Sequence, residues 1–110
     1  MSFFYQMALE KFQALESVKN YYQTPESRCG YSYLLGGIQH FGYYPPGKEN
    51  IFEKQAQIEM QELLARKAQL TAYDRVLDAG CGQGRVAVYL AKEYDCEVMG
   101  ITIVPREVRK

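Results

Sequence analysis

From Val76 to Gly84 the chain reads Val-Leu-Asp-Ala-Gly-Cys-Gly-Gln-Gly, an apolar run followed by three glycines at alternate positions. Few local structures accept that order. The run Val76 to Ala79 is too short for a helix and reads as a buried strand. Gly80 and Gly82 allow positive φ angles and lack the Cβ that would keep a ligand away, and Gly84 lets a helix start close to the sheet. Arg85 to Tyr94 is predicted to be that helix, with Val86, Ala87 and Leu90 turned inward. Asp95 ends it, and Cys96 to Thr102 makes a second apolar strand. Val104-Pro105 then opens another helix, with proline in its first turn. Strand, glycine turn, helix and strand in succession form one βαβ unit with parallel strands. The fold class is therefore α/β.

A glycine turn at a helix N-terminus offers backbone amides and a partial positive charge. Two kinds of nucleotide ligand compete for it. A dinucleotide site reads G-x-G-x-x-G, with an acidic residue about 20 positions on. Here Gly80-Cys81-Gly82-Gln83-Gly84-Arg85 displaces the last glycine by one, and Gly100-Ile101-Thr102 lacks the acid. Asp78, just before the glycines, instead suits a ligand with a cationic amino group. S-adenosyl-L-methionine is such a ligand.

The segment Val76 to Gly84 resembles motif I of the class I S-adenosylmethionine-dependent methyltransferases. Gly100-Ile101-Thr102-Ile103-Val104-Pro105 is similar to a G-V-T-L-S-P stretch of a narrower group, the cyclopropane-fatty-acid synthases with the tocopherol, sterol and natural-product C-methyltransferases. In that group a threonine stands where most class I enzymes carry the ribose-binding acid. The resemblance implies a Rossmann-like class I methyltransferase fold, with S-adenosyl-L-methionine held by Asp78, Gly80, Cys81, Gly82 and Gly84. Thr102, Ile103 and Glu107 would lie at the ribose; the group often has glutamine at the position of Glu107, and Val104 replaces its usual serine. Methyl transfer to a small, apolar, natural-product or lipid-type acceptor is the implied activity.

Upstream, Phe4, Ala8, Phe12, Leu15 and Val18 recur at helical spacing, so Phe3 to Tyr22 reads as one amphipathic helix ending near Thr24-Pro25. Pro25 to Asn50, rich in tyrosine, glycine and proline, should be mostly loop with a helical turn around Tyr31 to Leu35. A second long helix is expected from Ile51 to about Leu70. Its buried stripe would be Phe52, Ala56, Met60, Leu63 and Leu64, with Glu53, Lys54, Glu62, Arg66 and Lys67 in water. Tyr21-Tyr22 and Gly36 to Tyr44 are similar to the group's Y-Y…H-x-G-Y segment, which lies over the cofactor. That likeness makes Tyr22 and Phe41 cofactor contacts and leaves His40 and Tyr22 as catalytic candidates. Eleven of the fifteen aromatic residues precede Pro45, and aromatic faces attract cations such as a sulfonium. Residues 1–50 are thus expected to form a helical, aromatic lid, and residues 51–110 the start of a cofactor-binding domain truncated after its second strand. Activity of these 110 residues alone is not expected.

Thirteen acidic and thirteen basic side chains cancel, and no basic stripe points to nucleic acid. No apolar run approaches the roughly 18–20 residues needed to span a bilayer. Met1 to Tyr5 lacks the marks of a secretory leader, which makes the cytoplasm the default location. Cys29, Cys81 and Cys96 have neither zinc-site nor disulfide spacing; no metal is expected, and Cys29 and Cys96 read as reduced packing residues. The oligomeric state leaves no signal. Two other readings remain open: an NAD(P)-binding oxidoreductase fragment, and a non-catalytic assembly module built on the amphipathic helices.

Overall fold

The computed structural model describes residues 3–109. Helix α1 spans Phe3–Gln23. Thr24 both closes it and opens the next helix: its amide and hydroxyl donate to the Tyr21 carbonyl at 3.2 and 3.0 Å, while the same hydroxyl accepts from the Ser27 amide. With Pro25 in the first turn and Glu26 beside the helix N-terminus, Pro25–Cys29 forms α2. It runs straight into a π-helical turn, Gly30–Leu34. The helical turn expected around Tyr31 to Leu35 thus begins earlier, at Pro25, while residues 35–50 are loop as expected. Thr24-Pro25 is a stop signal that serves equally as a start. The glycine pair Gly36 and Gly37, at φ 60° and 83°, ends the run. On α1 the expected stripe is open to solvent at Phe12, Leu15 and Val18; the side chains of Phe4 and Ala8 lie outside those described.

Helix α3 spans Glu53–Lys67, shorter at both ends than expected. The Phe52 carbonyl accepts the amides of Gln55 and Ala56, and Gln69 turns into the left-handed region at φ 53°. Its inner face also differs. Phe52 and Leu64 are exposed, and the buried residues are Ala56, Gln57, Gln61 and Ala65. The cause is the close approach of the segment before it. Tyr43 donates its amide to the Ala56 carbonyl at 2.8 Å, and a Cβ on Gly42 would stand 2.9 Å from the Ala56 carbonyl carbon. A polypeptide backbone docked this tightly needs small neighbours and hydrogen-bonding partners rather than large apolar side chains. Glu53 and Glu62 likewise leave the expected wet face. Glu53 accepts from the Gly42 amide and the Tyr44 hydroxyl, and Glu62 from the hydroxyls of Tyr89 and Tyr94 at 2.5 and 2.9 Å. These bonds hold the Glu62 carboxyl below the usual range, while burial and Glu62 push the Tyr89 phenol well up. Gly42→Ala should therefore lower the stability of the full-length protein by about 1–3 kcal/mol, the usual cost of overpacking. A thermal melt unchanged from wild type would show that this docking does not matter.

Strands β1 (Arg75–Ala79) and β2 (Glu97–Ile101) pair in parallel, with Arg75 opposite Glu97 and Ala79 opposite Ile101. Between them α4 covers Arg85–Tyr94, the span read from the sequence. Asp95, left-handed at φ 55°, ends it. Buried strands were expected, yet only the face carrying Val76 and Val98 is partly covered; Leu77 is 60% and Met99 59% exposed. A short 3-10 turn, Glu107–Arg109, follows Pro105. Cys96 is buried as expected, whereas Cys29 is exposed at the end of α2, which lies against the π-helical turn and α1. Among the described residues no helix is long and apolar enough to cross a membrane, and no cluster of metal-ligating side chains occurs.

Candidate functional site

The turn between β1 and α4 carries Gly80, Gly82 and Gly84 at φ 88°, 52° and 74°, a region that L side chains with a Cβ rarely enter. Its shape is fixed from β2. The Ile101 carbonyl accepts two amides, from Gly80 at 2.8 Å and Cys81 at 2.9 Å, and Gly84 donates to Cys81 at 2.8 Å. Those amides are committed to the loop itself. A ligand must draw on the amides further along, at Gly82 and in the first turn of α4. Cys81 turns its thiol onto β2, where a Cβ on Gly100 would lie 2.8 Å from Sγ. Burial, with help from the Asp78 and Glu107 charges, raises the thiol above its usual range. It is a neutral packing group rather than a nucleophile.

Asp78 is the penultimate residue of β1, beside these glycines. Its Oδ2 is buried with no hydrogen-bond partner among the described atoms. Burial pushes its carboxyl upward. An orphaned carboxylate oxygen is costly unless a donor or cation comes to it. At the other end of the site Thr102 donates its hydroxyl to Glu107 at 3.0 Å and accepts from the Val104 amide at 3.2 Å. The Glu107 amide donates to Val104, whose side chain is buried where the resembling group has serine.

Two adjoining cavities open on the turn. One, of about 360 Å³, is lined by Tyr22, Gln39, Gly82, Thr102, Ile103 and Glu107, and also touches Gly80. The other, of about 470 Å³, holds Asp78, Cys81 and His40 against Phe41, Met60 and Val86. Nine of the sequence-derived site residues thus gather at the cavities, together with the catalytic candidate His40. Gly84 lines neither and serves the backbone turn at the start of α4. Phe41 reaches the second cavity while 89% exposed. Tyr22 stacks edge-on with Tyr21 and tilts over Tyr31.

His40 is held from both sides. The buried Gln57 donates to its main-chain carbonyl at 3.0 Å. Its Nδ1 lies 2.9 Å from the Phe41 carbonyl, and a carbonyl only accepts, so Nδ1 carries the proton. Nε2 then accepts from Gln61 at 3.2 Å. Hydrogen bonds at both ring nitrogens thus hold His40 against α3. Sequence reasoning missed this clasp. Glutamines four apart on a helix look like a solvated face, and the small Ala56 and Ala65 beside them are the only hint of a close neighbour.

Residues 11–109 match the family described as mycolic acid cyclopropane synthetase. The chain belongs to that family. It is 43% identical over 88% of its length to an S-adenosyl-L-methionine-dependent Diels-Alderase of Talaromyces variabilis, covering 33% of that protein. With norajmaline N-methyltransferase of Rauvolfia serpentina it shares 32% identity over 86% of its length and 35% of the relative. The chain thus spans about a third of the length of these curated relatives. The crystal structure of the [4+2]-cyclase SpnF superposes with a TM-score of 0.60 and 30% identity, over 68% of this chain and 28% of that one. The fold is the N-terminal part of a Rossmann-like methyltransferase fold, as the glycine motif implied. S-adenosyl-L-methionine is the cofactor of the family, and the oxidoreductase reading falls away.

The residues present fit that cofactor on two structural counts. The orphaned Asp78 oxygen suits the ammonium of its methionine portion, and the cradle over Gly82 is one that a side chain would fill.

Proposed function

We propose that the full-length protein transfers a methyl group from S-adenosyl-L-methionine to a small, apolar acceptor of natural-product or lipid type. The observation that carries this reading is the buried Asp78 Oδ2, without a hydrogen-bond partner among the described residues, beside three left-handed glycines. Asp78 would meet the ammonium group, Gly80, Cys81, Gly82 and Gly84 would shape the close approach, and Thr102, Ile103 and Glu107 would hold the ribose. Tyr22 and Phe41 would cover the site from a lid made by residues 1–50, over a cofactor domain beginning at residue 51. When bound, the cofactor supplies an electrophilic methyl group. The chain contributes alignment and exclusion of water. Met60, Phe41 and Val86 along the second cavity support an apolar acceptor.

A second reading is cofactor-dependent cycloaddition without methyl transfer. It is favoured by the names of the Talaromyces relative and of the superposing structure.

S-adenosylhomocysteine is expected to raise the melting temperature of the full-length protein, and NAD to leave it unchanged. Stabilisation by NAD alone, or by neither, would overturn the assignment. Product formed with no S-adenosylhomocysteine released would select the second reading over the first.

A further inference from the structure

The two cavities share one polar side chain. Gln39 lines both, and its carboxamide lies over the glycine turn, so that a Cβ on Gly82 would stand 3.4 Å from its Cδ and Oε1. Its Nε2 reaches Glu107 at 3.5 Å, a long contact from the lid to the residue after β2. Glu107 meanwhile accepts from Thr102 on its other oxygen.

Gln39 is exposed, yet its position is not free. The next residue is His40, clasped by Gln57 and Gln61. Two residues earlier, Gly37 donates to the Tyr31 carbonyl at 2.8 Å and lies under the Gln83 side chain, which reaches Ser32. The backbone on both sides is anchored, so the side chain is delivered to the junction of the cavities rather than to bulk solvent.

We propose that Gln39, in addition to Asp78, helps this site discriminate a complete cofactor from its nucleoside portion. The inference rests on the cofactor placement above, with Glu107 at the ribose and Asp78 at the ammonium. A ligand with only the nucleoside part occupies the first cavity and claims Glu107, displacing the Gln39 contact without compensation. A ligand that also carries the amino-acid tail crosses into the second cavity past the carboxamide. There it offers new donors and acceptors to replace the lost contact. Gln39 therefore penalises the short ligand and rewards the long one.

Calorimetric titration of the full-length protein with S-adenosylhomocysteine and with 5′-methylthioadenosine tests this directly. Gln39→Leu keeps the bulk and removes the amide. For the variant, S-adenosylhomocysteine should bind about fivefold more weakly, the worth of one neutral hydrogen bond. 5′-Methylthioadenosine should bind about twofold more tightly, so that selectivity falls about tenfold. Gln39→Ala should give the same direction, which separates loss of the amide from the bulk of leucine. An unchanged ratio of the two affinities in both variants overturns the role of Gln39 while leaving the cofactor site intact. Failure of the wild type to bind either ligand overturns the site itself, and this inference with it.

Discussion

Gly82→Val in the full-length protein should lower its affinity for S-adenosylhomocysteine at least about a hundredfold, or roughly 2.7 kcal/mol. Two effects combine. At φ 52° Gly82 sits where a Cβ costs about 1–2 kcal/mol, and a β-branched residue is especially disfavoured there. The methyl groups of valine would also fill the cradle between the loop and Gln39. A bare Cβ has room, since its nearest neighbour would be 3.4 Å away. Gly82→Ala therefore isolates the backbone term and should lose much less affinity than valine. Calorimetry gives both numbers, and a thermal melt of each variant separates poor folding from poor binding. Wild-type affinity in a folded Gly82→Val protein would remove the loop from the binding site.

Asp78→Asn is the second large effect. The substitution keeps the shape of the side chain and removes its charge. If the carboxylate meets an ammonium group, S-adenosylhomocysteine should bind about 10- to 100-fold more weakly, at the lower end of the cost of breaking a desolvated charge pair. 5′-Methylthioadenosine, which lacks that group, should be unaffected. The pH dependence has a definite sign. Burial raises the Asp78 carboxyl above the ordinary aspartate range, so it takes up its proton at a higher pH than a solvated aspartate does. Only the ionised form attracts the ammonium. Affinity should be full above the raised pKa and be lost as the pH falls through it. The asparagine variant should show no such step. A step of equal size in both proteins would place the titrating group elsewhere.

The βαβ unit was legible because its signals are local. An apolar run, alternating glycines and a helical period over Arg85–Tyr94 leave one arrangement, and the parallel register of Arg75 on Glu97 follows it. Asp78 and Thr102 could be placed beside the turn for the same reason, since each lies near a strand end. What sequence could not give was partnership across distance. Gln57 and Gln61 are buried because the loop at His40, 17 and 21 residues earlier, docks on α3, and no pattern within α3 announces that visitor. Glu62 was placed in water on its helix period, although two tyrosines of α4 come to it. The uninterrupted helical course from Pro25 to Leu34 was obscured by its own glycine and tyrosine content, where Thr24 capping outweighs composition.

The Ile101 carbonyl, shared by the amides of Gly80 and Cys81, welds the two halves of the proposed nucleotide cradle into a single casting. Tilting the second strand would carry the glycine turn with it, so the grip on one end of a ligand cannot be retuned without disturbing the other. In the site proposed above, a change of acceptor would therefore fall on the opposite wall, where the backbone around Gly42 and Tyr43 rests on α3.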